Sequence, residues 1–127
     1  MKVLTIKEPF ASLIKDKYKV YETRSWKINY RGGIFINAGL AKINLKDERI
    51  CKLSKLVNVN PGMIVCKATL SDCILITEDF LKTLSPLEIL CGDFTLGRYA
   101  WKMTNIELID PIPVKGKLGL WNYKENI

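Results

Sequence analysis

A strand is predicted by the stretch Lys19-Val20-Tyr21-Glu22-Thr23-Arg24-Ser25-Trp26, which is followed at once by Tyr30-Arg31-Gly32-Gly33. Its residues are β-branched, aromatic and alternating, and a glycine pair closes it. Side chains two apart share a face of a strand, so Glu22 and Arg24 point the same way. This pair is either an exposed ion pair of little energetic weight, or part of a cleft in which Glu22 holds Arg24 ready for an anionic or base-like ligand. The features of the remaining chain favour the cleft.

The composition predicts a single domain spanning residues 1–127. The chain is 48% apolar and 26% charged, which is ordinary for a folded soluble protein that can bury its own core. It contains no apolar run long enough to span a membrane and no signal peptide core, so a cytoplasmic location without a membrane partner is expected. The net charge of +7 favours attraction to polyanions, chiefly nucleic acid.

Cysteine and histidine usage narrows the possible chemistry. The four cysteines are scattered, without a C-x-x-C pair, and the chain has no histidine. A zinc site requires closely spaced thiolates or imidazoles, so no metal and no cofactor are expected. Mechanisms that use imidazole near neutral pH are excluded. Any catalysis then depends on Lys, Glu, Asp, Tyr, Thr, Ser or Cys.

The first half of the chain predicts strands and helices in alternation. Residues 2–7 read as a strand, and Pro9 suits the first turn of a short helix carrying Phe10. The glycine pair at 32 and 33 is predicted to turn the chain into a strand over residues 34–39. Asn44 is predicted to cap a helix whose apolar stripe runs to Val57.

The second half of the chain is richer in strands. Residues 63–76 predict a strand with a bend or bulge at Ser71-Asp72, and residues 97–110 and 119–123 predict two more. Thr77 is predicted to cap one short helix, and Ser85-Pro86-Leu87-Glu88 to form a capping box at another. Pro111-Ile112-Pro113 cannot lie in the middle of a sheet. About six strands with two or three inserted helices predict a mainly β, α+β fold, a small closed or nearly closed β-barrel.

Aromatic residues provide the second functional signal. Trp26 lies beside Arg24 and close to Tyr30, and aromatic side chains interleaved with cations can stack on unpaired bases while the cations contact phosphates. Trp101 and Trp121 are expected to fill the core. Lys19 is either an exposed lysine or, if buried, a general base or nucleophile. Lys19 faces away from Glu22 on a regular strand, so a bulge near Tyr21, or a strand that starts only after Lys19, is required to bring them together.

Together these motifs resemble the ASCH domain (activating signal cointegrator homology). The matching motifs run in family order from Leu4 to Tyr123: Leu4-Thr5-Ile6-Lys7-Glu8-Pro9-Phe10-Ala11, Lys19-x-x-Glu22-x-Arg24-x-Trp26, Tyr30-Arg31-Gly32, Ile36-Asn37-Ala38-Gly39, Asn60-Pro61-Gly62, Gly97-Arg98-Tyr99-Ala100-Trp101, Pro111-Ile112-Pro113 and Gly119-Leu120-Trp121. The match is specific, because it follows the family order and no single piece is a generic turn or strand signal. Asn37 stands where many members of the family have histidine.

The resemblance implies a PUA-like β-barrel that binds RNA or another nucleic acid, in settings such as RNA processing, transcription or translation. It implies a cleft centred on Glu22 and Arg24, in which Arg24 contacts a phosphate or base edge and Glu22 orients it or accepts from an amino group. With Trp26 or Phe10 as the stacking face, the candidate binding residues are Lys7, Phe10, Lys19, Glu22, Arg24, Trp26, Tyr30 and Arg31.

Two alternatives remain open at this stage. One branch of the family resembles amidohydrolases that deacetylate acetylated cytidine with a lysine, a threonine and a glutamate. Lys19 matches that lysine, Glu22 occupies the position of the threonine, and Glu78 and Glu88 are regional candidates for the glutamate. This alternative predicts hydrolysis of a modified nucleoside with Lys19 and Glu22 as the catalytic residues. The second alternative is a module that recruits a protein partner.

Overall fold

Six strands form one sheet in this computed structural model, which describes residues 1–124. Within those residues four short helices connect the strands. The elements are β1 (Lys2–Ile6), α1 (Phe10–Lys15), β2 (Tyr21–Arg24), β3 (Gly32–Ala38), α2 (Glu48–Ser54), β4 (Met63–Leu75), α3 (Glu78–Leu81), α4 (Pro86–Leu90), β5 (Tyr99–Pro113) and β6 (Leu120–Asn122). The described part of the chain contains no helix long and apolar enough to cross a membrane.

The sheet has the strand order β2-β5-β4-β3-β1-β6 and curls into a half-barrel. β1 and β3 pair in parallel, and every other neighbouring pair is antiparallel. The predicted α+β, mainly β architecture is therefore confirmed. Among residues 1–124 four short helices are present, one at each place where the sequence predicts a helix, against a predicted total of two or three.

The long strand β5 explains how a proline-rich segment joins the sheet. β2 covers β5 only from Tyr99 to Lys102, so the far end of β5 has a single neighbour, β4. Pro113 pairs with Met63 at that end. Proline has no amide hydrogen to donate, but no hydrogen bond of the sheet is lost, because no strand of the described residues lies on the other side of β5 there. The predicted irregularity at Ser71-Asp72 is also confirmed, because the register of β4 against β5 shifts between residues 70 and 72.

Two local predictions are wrong, and each has a physical reason. The glycine pair at 32 and 33 begins β3 rather than preceding it, and Gly32 has a φ of 135°, which an L side chain rarely adopts. The cap of α2 is Asp47, whose side chain accepts from the Ile50 amide, and not Asn44. The side chain of Asn44 instead accepts from the Lys46 amide two residues on, an alternative local bond that asparagine favours outside helices.

The main core lies between the concave sheet and α1. Trp101 is fully buried there, as predicted, together with Ile36 from β3 and Ile14 from α1. Trp121 is only half-buried, at a second cluster, and its indole N–H donates to the Thr5 hydroxyl. α1 is therefore held against the sheet by its apolar face, and this fixes the position of the turn that precedes it.

Candidate functional site

A cleft of about 560 Å³ opens between β2, the turn before α1 and the loops after β3, α4 and β5. Its apolar wall includes Phe10, Leu40 and Leu118. Its polar lining combines cations, carboxylates and hydroxyls: Thr5, Lys7, Glu22, Thr23, Arg24, Arg49, Asp93 and Arg98. Of the residues predicted for the site, Lys7, Phe10, Glu22 and Arg24 therefore line one cleft.

Lys19 lies beneath the cleft with 1% of its side chain exposed. β2 begins only at Tyr21, so Lys19 is in the turn before the strand and the alternation of strand faces does not apply to it. Its Nζ donates to the Cys91 carbonyl and lies 3.5 Å from Glu22 Oε1. The two residues that an ideal strand would separate are therefore brought together.

Glu22 is shared between two cations. Its Oε1 faces Lys19, and its Oε2 accepts from Arg24 Nη2 at 2.9 Å. Arg24 Nη2 also donates to the Thr5 carbonyl at 3.0 Å, so the guanidinium is tied to β1 as well. Charge-assisted bonds of this kind restrict the rotamers of both partners, and Arg24 is thereby held at the cleft wall.

The segment before β2 is fixed by Glu88 of α4. The buried carboxylate of Glu88 accepts from the Val20 amide at 2.9 Å and from the Tyr21 amide at 3.3 Å. The predicted capping box is thus half correct: Ser85 accepts from the Glu88 amide, but the glutamate side chain bonds the strand instead of returning to Ser85. Glu78, the other regional candidate, is exposed, and neither glutamate lines the cleft.

The turn carrying Lys7 and Phe10 is fixed by a second buried carboxylate. Glu8 accepts from the amide and hydroxyl of Ser12 and from the Asn60 amide, which ties α1 to the loop before β4. The Phe10 ring is flanked by cations, with Lys19 Nζ and the Arg49 guanidinium carbon each 5.6 Å from its centroid. The ring is therefore part of the site as a cation–π partner.

Arg49 and Arg98 are site residues that the sequence interpretation missed. Arg49 projects from α2 and donates to the Leu90 carbonyl at 2.6 Å. Arg98 donates from Nε to the Asp93 carbonyl and from Nη2 to the Thr23 carbonyl. A usable signal existed, because the chain has only four arginines among its 20 cations, and three of them line this cleft.

Trp26, Tyr30 and Arg31 were predicted for the site but do not line the cleft. Trp26 packs edge-on against Trp101, with ring centroids 4.6 Å apart, and its carbonyl accepts from the Trp101 indole. The Tyr30 hydroxyl donates to the Gly33 carbonyl, and Arg31 donates to the carbonyls of Ile28 and Tyr30. These side chains stabilise the connection between β2 and β3, and none of residues 25–31 lines the cleft.

Two ionisable groups at the cleft have shifted pKa values. Hydrogen bonds from the side chain and amide of Thr95 lower the pKa of Asp93, so this carboxylate stays charged and faces Arg98 at 3.5 Å. Burial raises the pKa of the Cys91 thiol, which therefore stays protonated near neutral pH and is a poor nucleophile. Among residues 1–124 no group of three or more His, Cys, Asp or Glu side chains is placed to hold a metal ion.

Comparisons with known proteins agree with this fold. The family model for the ASCH domain matches residues 4–116. The crystal structure of ASCH from Zymomonas mobilis is similar with a TM-score of 0.60 at 14% identity, over 98% of this chain and 87% of that chain, which shows the fold alone. No curated protein sequence matches significantly. Because the family model covers most of its length, the chain belongs to the ASCH domain family.

Proposed function

We propose that this ASCH domain binds RNA through the cleft that contains Glu22 and Arg24. The family is generally associated with nucleic-acid binding. The observation that carries the proposal is the convergence of Lys7, Arg24, Arg49 and Arg98 on one cleft whose lining carboxylates are Glu22 and Asp93. Phosphate is the ligand that such a concave, cationic surface attracts most strongly.

The arginines are held in a way that suits ligand binding. Arg24 and Arg49 each donate from one terminal nitrogen to a backbone carbonyl, at Thr5 and Leu90. Arg24 Nη2 also donates to Glu22, while Nε and Nη1 of Arg24 and Nε and Nη2 of Arg49 have no hydrogen-bond partner among residues 1–124. A guanidinium fixed at one nitrogen loses less entropy when its remaining donors bind a phosphate. We therefore assign phosphate contacts to both side chains and an orienting role to Glu22.

Apolar side chains at the mouth of the cleft would contact the base. Leu40 and Leu118 both line the cleft and are 79% and 92% exposed. Exposed leucines beside a cationic cleft cost solubility unless a ligand covers them, and a nucleobase offers a flat apolar face. Trp26 is turned toward Trp101, so we assign the apolar contact to the leucines and Phe10 instead.

The test is a fluorescence anisotropy titration with a labelled single-stranded RNA and a labelled RNA hairpin at two salt concentrations. We expect affinity to fall as salt rises, because neutralised phosphates release counterions. Arg24→Gln should weaken binding about tenfold, and the matched variant Arg31→Gln, outside the cleft, should bind as the wild type does. Binding that ignores salt would indicate a protein-recruiting surface instead. Equal affinities of Arg24→Gln and the wild type would contradict the proposal.

Hydrolysis of a modified nucleoside is a second candidate, favoured by one observation. Lys19 Nζ, buried beneath the cleft, lies 3.5 Å from the Glu22 carboxylate, and a lysine beside a carboxylate is a common acid–base arrangement. The catalytic branch needs a hydroxyl where this chain has Glu22, so Glu22 would act as a base for water. The check is chromatography after incubation with acetylated cytidine, with Lys19→Met as the control. The absence of product from wild-type protein would reject this candidate.

A further inference from the structure

We infer that the cleft selects a phosphomonoester, meaning a nucleotide with a terminal phosphate, over an internal phosphodiester. The nucleotide is either the end of an RNA strand or a free nucleoside monophosphate, since both present the same group. The inference rests on the proposed function and names the part of the nucleic acid that this cleft recognises. Three properties of the cleft support it: its net charge, the placement of its arginines on separate elements, and its volume.

The charge of the cleft exceeds what an internal phosphate requires. The lining holds four cations against the two carboxylates Glu22 and Asp93, and Lys19 adds a further cation directly beneath Glu22. Lys19 is paired with Glu22 and does not line the cleft, so within the lining the cations exceed the carboxylates by two. An internal phosphodiester carries one negative charge, whereas a phosphomonoester carries about −1.5 to −2 at neutral pH. The terminal group is the better match.

The arginines reach the cleft from separate parts of the fold. Arg24 is on β2, Arg49 is on α2, and Arg98 precedes β5. Each is fixed by a backbone carbonyl from another segment: Thr5, Leu90 and Thr23, respectively. A phosphomonoester offers three non-bridging oxygens to such a set of donors, whereas a phosphodiester offers two and needs an open path for the strand on both sides.

The size of the cleft agrees with one nucleotide. A volume of about 560 Å³ lies within the range of pockets that enclose a single small molecule. The buried Lys19 side chain lies beneath the floor of the cleft, where it donates to the Cys91 carbonyl. A duplex, which is about 20 Å across, does not fit a cleft of this size.

The experiment compares one internally labelled RNA hexamer in three forms: with a 5′-phosphate, with a 3′-phosphate, and with both ends as hydroxyls. We expect one phosphorylated form to bind at least fivefold more tightly than the hydroxyl form, and Arg49→Gln to remove that preference. Arg31→Gln, the matched control outside the cleft, should keep it. Direct calorimetric titration with adenosine monophosphate, adenosine and inorganic phosphate, together with competition by each against the bound hexamer, then separates a strand end, a free nucleotide and the bare anion as the preferred source.

Each outcome separates this inference from the proposed function. Salt-sensitive binding of equal strength to all three hexamers would overturn the phosphomonoester preference and leave RNA binding standing. Binding of adenosine monophosphate but of none of the hexamers would overturn RNA binding and leave the preference. A preference that survives in Arg49→Gln would overturn the role given to that arginine. If none of the hexamers or competitors binds, both proposals fail.

Discussion

The segment from Lys19 to Arg24 and the one from Trp26 to Arg31 are adjacent and similar in composition, yet they have different roles. The first makes contacts distant in sequence, with Arg24 bonded to the Thr5 carbonyl and Lys19 to the Cys91 carbonyl. In the second, Trp26 packs against Trp101, but Arg31 hydrogen-bonds only carbonyls one and three residues before it and lies 4.0 Å from the exposed Asp72 carboxylate. The comparison teaches that an arginine beside an aromatic residue does not indicate a site by itself, and that a hydrogen bond to a distant part of the fold distinguishes Arg24 from Arg31.

The largest difference between the two segments should appear in stability. Lys19→Ala leaves the Cys91 carbonyl and part of Glu22 without a partner in a buried place, so we expect the free energy of unfolding to fall by about 3 kcal/mol. Lys27→Ala, at an exposed lysine in the second segment, should change it by less than about 0.5 kcal/mol. Urea denaturation measures both. Similar decreases in the free energy of unfolding of the two variants would contradict the difference between the segments.

Glu88 supplies the next test, because this residue of α4 accepts hydrogen bonds from two backbone amides of the first segment. Glu88→Ala leaves the amides of Val20 and Tyr21 without an acceptor, so we expect a loss of about 2 kcal/mol in the free energy of unfolding. Glu88→Gln keeps one acceptor oxygen and should lose less. Glu107→Ala, at an exposed position of β5, is the control. Thermal denaturation that ranks Glu107→Ala as equal to Glu88→Ala would contradict this role.

Trp26 sharpens the comparison, because its role would be structural. Trp26→Ala removes an edge-to-face contact with Trp101, and we expect a stability loss of about 1 kcal/mol. RNA affinity should stay within about twofold of the wild type, since the side chain does not line the cleft. Anisotropy titration checks the affinity and urea denaturation the stability. A tenfold loss of RNA affinity in this stably folded variant would show that Trp26 takes part in binding.

The smallest effect concerns Asp93 at the cleft rim. Its lowered pKa means that its contribution to stability is present above the ordinary carboxyl pKa and is lost as the pH falls through the lowered value. Thr95→Val removes the hydroxyl that donates to this carboxylate, so the pKa should move up toward its ordinary value. Carbon-detected NMR titration follows the Asp93 carboxyl directly. An unchanged titration midpoint in Thr95→Val would show that the hydroxyl does not cause the shift.

Much of the fold was predictable, because hydrophobic alternation and turn residues act locally. The six strands and the caps at Thr77 and Ser85 follow from such patterns, and both caps form as expected. The side chain of Glu88 did not behave as predicted, because the amides of Val20 and Tyr21, nearly seventy residues away, compete for it. A capping box describes one helix and contains no information about that competition.

The site was predictable only where its residues adjoin in sequence. Glu22 and Arg24 share a face of β2, and that could be read from the alternation. The contact of Lys19 with Glu22 depends on where the strand begins, which is the least certain property of a predicted element. Arg49 and Arg98 come from α2 and the turn before β5, so only the three-dimensional arrangement brings them to the cleft.

The position of β2 at the end of the strand order has a consequence for motion. Within residues 1–124, β2 pairs with β5 alone, over four residues, while β4 is paired on both sides. Short strands paired on one side open locally at low free energy, well below that needed to unfold the sheet. We expect the β2 amides to exchange with solvent faster than those of β3 and β4, and bound ligand to slow them. We therefore expect the cleft to admit its ligand by local opening of β2 while the other strands stay paired.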